Sequence, residues 1–358
     1  MTEIRPPNLR LASNLEGECA VRYRRPRALR EVLPDTVDAS PVSDLAGTRG
    51  GWRGRAAVLV LALSLGLSGC TGANSGPVPT PTSGSSQPGS RSARPPTRIN
   101  KILVIVEENR SVQNVAAHMP FLMSQAKSYG AATNYHAIKH PSLPNYLVLA
   151  GGSTFDVTDD QNPDSHRLQG PSVFGALVSA GRTAKTYADG MPGSCARRNH
   201  DTYAVRHNPW TYFHDPAERA DCGLFDVASG SPAAGPLVDD IRAGKLPTFG
   251  LLIPDACNDG HDCSAATTDD WLRSWLPTIK RGPDFTSNRL AIVITWDEDD
   301  GYSGNRVPLV VIHPSLKNKQ VTTSLDHYGL AASIARVGGI PPFRHANKST
   351  DVLAAFGL

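Results

Sequence analysis

The stretch "KILVIVEENR", Lys101–Arg110, decides the fold. Its first seven residues are a nearly continuous apolar run, the pattern of a strand buried on both faces, and a helical pattern follows from Met119 to Tyr129. The same alternation continues. "TAKTYAD", "TFGLLIP", "LAIVITW" and "VPLVVIH" read as strands, and residues 172–180, 235–243, 268–279 and 326–337 read as helices. Strands alternating with helices predict one α/β domain with a mostly parallel central sheet covered by helices. No internal repeat is evident, and the polar segment 189–234 reads as an insertion.

In open α/β sheets, ligands bind outside the carboxyl ends of the strands. Three of these strands end in polar clusters: "KILVIVE" runs into Glu108-Asn109-Arg110, "TFGLLIP" into "DACNDGHDC", and "LAIVITW" into "DEDDG". Each cluster has a plain reading by itself. Glu108 and Asn109 suit a helix start, Asp297–Asp300 suits a solvated loop, and His140, His261 and His327 suit a turn, a loop and a helix N-terminus. The acidic loop is not an EF-hand, which needs Gly where Tyr302 stands. Gathered on one sheet edge, however, Glu108, Asn109, Asp297 and Glu298 would place carboxylates against one another. Like charges that close need protons or a cation. Oxygen-rich ligands suit one divalent ion, Mg²⁺, Ca²⁺ or Mn²⁺, with Zn²⁺ also possible.

The segment "HPSLPNYLVLAGG", from His140, supplies a reactive group. A helix beginning near Leu143–Tyr146 would carry Ser142 at its N-terminus, where free N–H groups favour a cap or an anion such as phosphate. Pro144 suits the first turn, where its missing N–H costs nothing. A metal at this point could activate the serine hydroxyl and bind a phosphoryl oxygen.

The rest of the chain concerns location. The formal charge of +3 over 358 residues resides in residues 1–69, which hold 10 Lys+Arg against 7 Asp+Glu, so residues 70–358 are neutral and give no case for nucleic-acid binding. Arg49, Arg53 and Arg55 precede "AAVLVLALSLGLSG", which has the length of a signal-peptide core and is short for a membrane span. It ends in Leu67-Ser68-Gly69-Cys70, which resembles a bacterial lipobox and implies cleavage before Cys70 and lipidation of its thiol. Residues 71–98, rich in Pro, Ser, Gly and Thr, read as a solvated tether. The expected organisation is a leader at 1–69, a lipidated Cys70 with linker to 98, and a catalytic domain at 99–358. That makes the protein extracytoplasmic and held to the membrane by a lipid anchor. With Cys19 in the leader, Cys195, Cys222, Cys257 and Cys263 remain, an even number that suggests two disulfides in an exported domain. Local pairs, Cys195 with Cys222 and Cys257 with Cys263, are favoured among three connectivities. A structural zinc site is the competitor, although the spacings lack paired C-x-x-C knuckles.

Taken in order, "EEN", "HPSLPNYLVLAGG", "NDGHD", "WDEDDG" and "DHYGLAASIA" resemble the phosphoesterase family of bacterial phospholipases C and acid phosphatases, within the alkaline-phosphatase superfamily. "SLPNYLVLAGG" also resembles the nucleophile segment of nucleotide pyrophosphatases and phosphodiesterases. The resemblance spans residue 101 to about 340 and implies a three-layer αβα sandwich. It further implies Ser142 as nucleophile, Glu108, Asn109, Asp297 and Glu298 as ligands of a metal that Ser142 also touches, and His261, His327 and, less strongly, His140 around the phosphate. The chain departs from phospholipases C in having Asp299-Asp300-Gly301 where His-Gly-Gly often follows the acidic pair. Tyr146 stands where sulfatases need Arg, which argues against that activity. No G-x-S-x-G elbow and no phosphate-cradling G-x-x-x-x-G-K-[ST] loop is present. The expected function is hydrolysis of phosphate monoesters through a phosphoserine, with a phosphodiesterase of phospholipase C type as the first rival and a non-catalytic surface-binding lipoprotein as the second.

Overall fold

The structure, a computed structural model, describes residues 99–358. The leader, the lipobox with Cys70 and the linker lie outside the described residues. The strands are β1 (Lys101–Glu107), β2 (Gly130–Ala132), β3 (Tyr135–His136), β4 (Ala184–Ala188), β5 (Asp226–Ala228), β6 (Phe249–Ile253), β7 (Leu290–Trp296), β8 (Leu309–Ile312), β9 (Lys319–Val321) and β10 (Leu325–Asp326). Eight of them form one sheet in the order β5-β4-β6-β1-β7-β8-β2-β9, and β10 pairs with β3 in a small second sheet. Only β8 runs against its neighbours, so the sheet is mostly parallel.

Helices cover both faces. On one side lie α1 (Val112–His118), α2 (Pro120–Ser128), α6 (Pro236–Ala243) and α7 (Ala265–Arg281), and on the other α3 (Ser142–Gly151), α4 (Val173–Ser179) and α9 (His327–Gly338). The expected αβα sandwich is observed. β1 sits in the middle of the sheet, and Ile102 through Val106 are buried on both of its faces, as the uninterrupted apolar run requires. The described chain enters at Ile99 and Asn100, at the end of β1 where Asn100 N–H donates to Arg289 O.

Register is what gathers the polar clusters. β1 and β7 pair in parallel from Lys101 with Leu290 to Glu107 with Trp296, and Asp297 N–H continues the ladder to Glu107 O at 3.0 Å. The residues after both strands therefore emerge side by side. On the other flank β6 pairs with β1, and beyond its end Asp259 O accepts from Glu108 N–H at 2.9 Å.

The segment 189–234 departs from the expectation of a pure insertion. It carries α5 (Pro216–Phe225), and its residues 226–228 are β5, an edge strand of the main sheet. Three residues give too little periodicity to stand out in a polar stretch. The favoured disulfides are both formed, with Cα separations of 5.4 Å for Cys195–Cys222 and 4.7 Å for Cys257–Cys263. The first fastens the start of this segment to α5. Among the described residues no helix is long and apolar enough to cross a membrane.

Candidate active site

The ends of β1 and β7 bring Glu108, Asn109, Asp297 and Glu298 together. Asn109 takes φ 51°, a left-handed conformation that asparagine tolerates better than most residues, and this turn aims its N–H at Asp297 Oδ1, 3.2 Å away. Its carboxamide oxygen lies 3.2 Å from Asp297 Oδ1 and 3.2 Å from Glu108 Oε2. Three acceptor oxygens thus converge with no proton between them. Rotating the amide would convert both contacts to hydrogen bonds, whereas a cation makes the oxygen-inward orientation the favourable one. An all-oxygen donor set of this kind is the chemistry that hard divalent cations prefer. Asp297 Oδ2 and Glu298 Oε2 are also buried without a hydrogen-bond partner. The oxygen set fits a divalent metal.

The chain puts Ser142 against this set in an unexpected way. Ser142 is the first residue of α3, and Pro141 takes the N-cap position with no side-chain cap. The expectation that the serine hydroxyl faces the helix N–H groups is corrected. Leu143 N–H is taken by Asp160 Oδ1 at 2.9 Å, which leaves Ser142 Oγ free to donate to Glu108 Oε2 at 3.0 Å. The serine hydroxyl also faces the Asp297 carboxyl, and Ser142 itself is 2% exposed. Farther along α3, Tyr146 OH donates to Glu108 Oε1 at 2.5 Å. A tyrosine where a sulfatase needs arginine therefore orients a candidate metal ligand. Gly152 ends α3 at φ 66°, where a Cβ would lie 2.5 Å from Phe343 O.

The histidines divide into three positions. His140 lies at the rim, 3.2 Å from Glu298 Oε2 and 3.2 Å from Asp299 Oδ1. His261 is partly exposed, with Nδ1 2.6 Å from Asp262 Oδ1 and its ring 6.2 Å from that of His207. His327, expected around the phosphate, packs beside Asp297 and Tyr135. It is fully buried behind the site, with Nε2 2.7 Å from Asp297 O and Nδ1 2.7 Å from Tyr135 OH. A carbonyl oxygen only accepts, so Nε2 carries the proton and Nδ1 accepts from tyrosine. Burial pulls its pKa down to about 4, and a neutral ring so engaged holds the Asp297 backbone rather than passing protons to substrate.

Sequence reasoning missed His207 and Arg206, both in the segment 189–234. His207 is 1% exposed and lies between two carboxylates, 3.2 Å from Glu108 Oε1 and 3.1 Å from Asp259 Oδ2, with its ring stacked on Tyr146. None of these contacts has hydrogen-bond geometry, and the ligand atoms of Glu108, His207 and Asp259 lie within 4.8 Å of one another. Arg206 lies 3.9 Å from Asp160 and projects positive charge toward Glu108, Asp259 and Glu298. The only signal for either was a basic pair, "RH", in a segment tied down by cysteine.

The electrostatics follow from burial. Desolvation pushes Asp259 and Asp297 up to about 7 and Glu298 up to about 9, and it raises Glu108 well above the usual carboxylate range, with Asp297 and Asp259 adding repulsion. Burial drives His207 the other way, toward its neutral form. Without a cation such a cluster must hold protons, and a bound metal would displace them.

Comparison with known proteins identifies the family and the fold. The model of the phosphoesterase family matches residues 115–341, an interval that contains Ser142, His261, Asp297 and Glu298 and begins just beyond Asn109. A phosphatidylinositol-3-phosphatase of Mycobacterium tuberculosis is 30% identical over 262 residues, covering 72% of this chain and 82% of that protein. An acid phosphatase of Aspergillus fumigatus is 28% identical over 269 residues, covering 71% of this chain, and the chain spans 58% of its length. A solved structure of a protein in the alkaline phosphatase superfamily from Vibrio parahaemolyticus shares the fold, with a TM-score of 0.50 at 9% identity, covering 72% of this chain and 70% of that one.

Proposed function

This chain belongs to the phosphoesterase family, a family of hydrolases acting on phosphoric esters, and on that premise we propose that it is an exported, metal-dependent phosphomonoesterase working through a phosphoserine. The observation that supports the reading most is the contact of Ser142 Oγ with Glu108 Oε2 at 3.0 Å, beside the converging oxygens of Asn109 and Asp297. Glu108, Asn109, Asp297, Glu298 and Ser142 are the residues that would hold the ion. When bound, a divalent cation there lowers the pKa of the serine hydroxyl and offsets charge on the phosphoryl oxygens.

Ser142 Oγ passes its proton to Glu108 Oε2, the oxygen to which it already donates, as it attacks phosphorus, and the bond to the leaving alcohol breaks in line. Tyr146 holds Glu108 in position from its other oxygen, with His207 packed beside it. Arg206 supplies positive charge from the opposite wall, suited to a phosphoryl group. His261 is the residue proposed to protonate the departing alkoxide, since Asp262 on Nδ1 leaves Nε2 for the substrate side. Water then cleaves the Ser142–phosphorus bond and releases phosphate. The two disulfides support an oxidising compartment, and lipid attachment at Cys70 is part of the same proposal.

The test is hydrolysis of p-nitrophenyl phosphate and bis-p-nitrophenyl phosphate with and without a chelator, alongside Ser142→Ala. The monoester should be the better substrate, and Ser142→Ala should lose about a thousandfold or more in kcat/KM. Full activity in that variant, or after thorough metal removal, would overturn the mechanism. A faster diester would favour the phospholipase C type instead. The clustering of Glu108, His207 and Asp259 favours a second reading with two ions, which predicts two equivalents of metal per chain, falling to one in His207→Ala.

A further inference from the structure

A strongly charged cluster lies outside the site, where the loop between α3 and α4 meets the segment 189–234. Arg197 and Arg198 each place an NH2 group 2.9 Å from an oxygen of Asp164, and Arg167 lies 3.8 Å from the same residue. Arg197 also donates to His214 Nε2 at 2.7 Å, while its own Nε is buried without a partner. Arg219, from α5, spends an N–H on the disulfide sulfur of Cys195 at 3.0 Å, a weak acceptor.

Three guanidinium groups thus lie within 4.0 Å of one carboxylate, Asp164, and a fourth, that of Arg219, adds its field at the neighbouring His214. The other carboxyl facing Arg219 is Asp226, which burial pushes up to about 8. Burial first, and then the fields of Arg197, Arg219 and Arg167, hold the pKa of His214 down, with Asp164 opposing them. Within ion-pair distance the cluster sets three arginines against the single carboxylate of Asp164, and the side chains of Arg167 and Arg198 are 64% and 75% exposed.

The chain bounds how far Asp164 lies from Asp160. Asp160, whose Oδ1 holds the Leu143 N–H beside Ser142, precedes Asp164 by four residues. Four residues span at most about 14 Å. We propose that this arginine cluster is an accessory anion subsite that takes a second phosphate of a substrate whose first phosphate is at Ser142. The inference deepens the phosphomonoesterase reading and rests on it for the place of the first phosphate. The second phosphate belongs either to a soluble bisphosphate or to the diester of a phosphorylated lipid head group, and guanidinium forks suit both.

The experiment is calorimetric titration of the full-length chain carrying Ser142→Ala, in magnesium buffer, with glucose 6-phosphate and with fructose 1,6-bisphosphate. The bisphosphate should bind about tenfold more tightly, and added salt should erode the difference. Adding Arg167→Glu and Arg198→Glu should abolish the difference while leaving glucose 6-phosphate unaffected, and Arg167→Lys with Arg198→Lys should keep most of it. Equal affinity for the two sugars, no binding of either, or a difference that survives charge reversal would overturn the proposal. Binding to phosphatidylglycerol vesicles that charge reversal abolishes, with no preference between the sugars, would make the cluster a membrane contact and equally overturn it. Vesicles containing a phosphorylated phosphoinositide separate the lipid source from the soluble one. Failure of the unmodified chain to hydrolyse p-nitrophenyl phosphate would count against the phosphatase reading, whereas the sugar comparison reads the subsite by itself.

Discussion

The two walls of the cleft are built in different ways. The carboxylate wall comes from the ends of β1 and β7, adjacent parallel strands whose register pairs Glu107 with Trp296 and so fixes Glu108 next to Asp297. The opposite wall comes from the segment 189–234, which contributes His207 and Arg206 from a short helical turn and is fastened by Cys195–Cys222. Backbone pairing holds the first wall, while a covalent bond and burial hold the second. Metal binding and the nucleophile should therefore depend on the sheet, and the fit of substrate on the fastened segment.

Breaking the first wall should have the larger effect. Asp297→Asn removes one of the converging oxygens, and kcat/KM should fall by roughly a hundredfold or more together with metal content measured by elemental analysis. If activity falls but metal stays, Asp297 is not a ligand. His207→Gln disturbs the second wall at its contact with Glu108, and a loss of about tenfold in kcat/KM is expected with one equivalent of metal retained. Loss of that ion would make His207 a primary ligand and erase the distinction between the walls.

Stability against pH sharpens the contrast further. Asp297 and Glu298 have folded pKa values of about 7 and about 9, raised above those of an unfolded chain, so the metal-free folded state holds protons that the unfolded state releases. Their contribution is full below about pH 4 and is lost as pH rises through those values. Chelated protein should therefore melt a few degrees lower near pH 8 than near pH 5, and saturating magnesium should remove most of the deficit. An identical drop with magnesium present would show that the carboxylates do not bind it. The smallest effect on metal should come from reducing Cys195–Cys222, which closes a separation of 27 residues. Stability should fall by about 3 kcal/mol by denaturant titration, with KM rising and metal content unchanged.

The same division governs what the sequence revealed. The five long strands and the helices behind them were legible because each carries a long, periodic apolar pattern, and the polar residues at their ends could be assigned to one edge by a general rule of α/β sheets. β2, β3, β9 and β10 were not, since two or three residues leave no period to detect. Ser142 was legible as a helix-start serine, but its partner was not: only the fold shows that Asp160 takes over the capping and leaves the hydroxyl to Glu108. His327 is the converse case. Its place at the head of α9, after the capping Asp326, follows from sequence, whereas its turn inward toward Tyr135 depends on the pairing of β3 with β10. His207 had no comparable rule to reveal it, because it reaches Glu108 through tertiary packing of an irregular segment.

The point of entry at Ile99 has a directional consequence. β1 runs from that edge of the sheet to the edge that carries Glu108, a seven-residue strand of about 20 Å, so whatever precedes Ile99 joins the domain on the side away from Ser142.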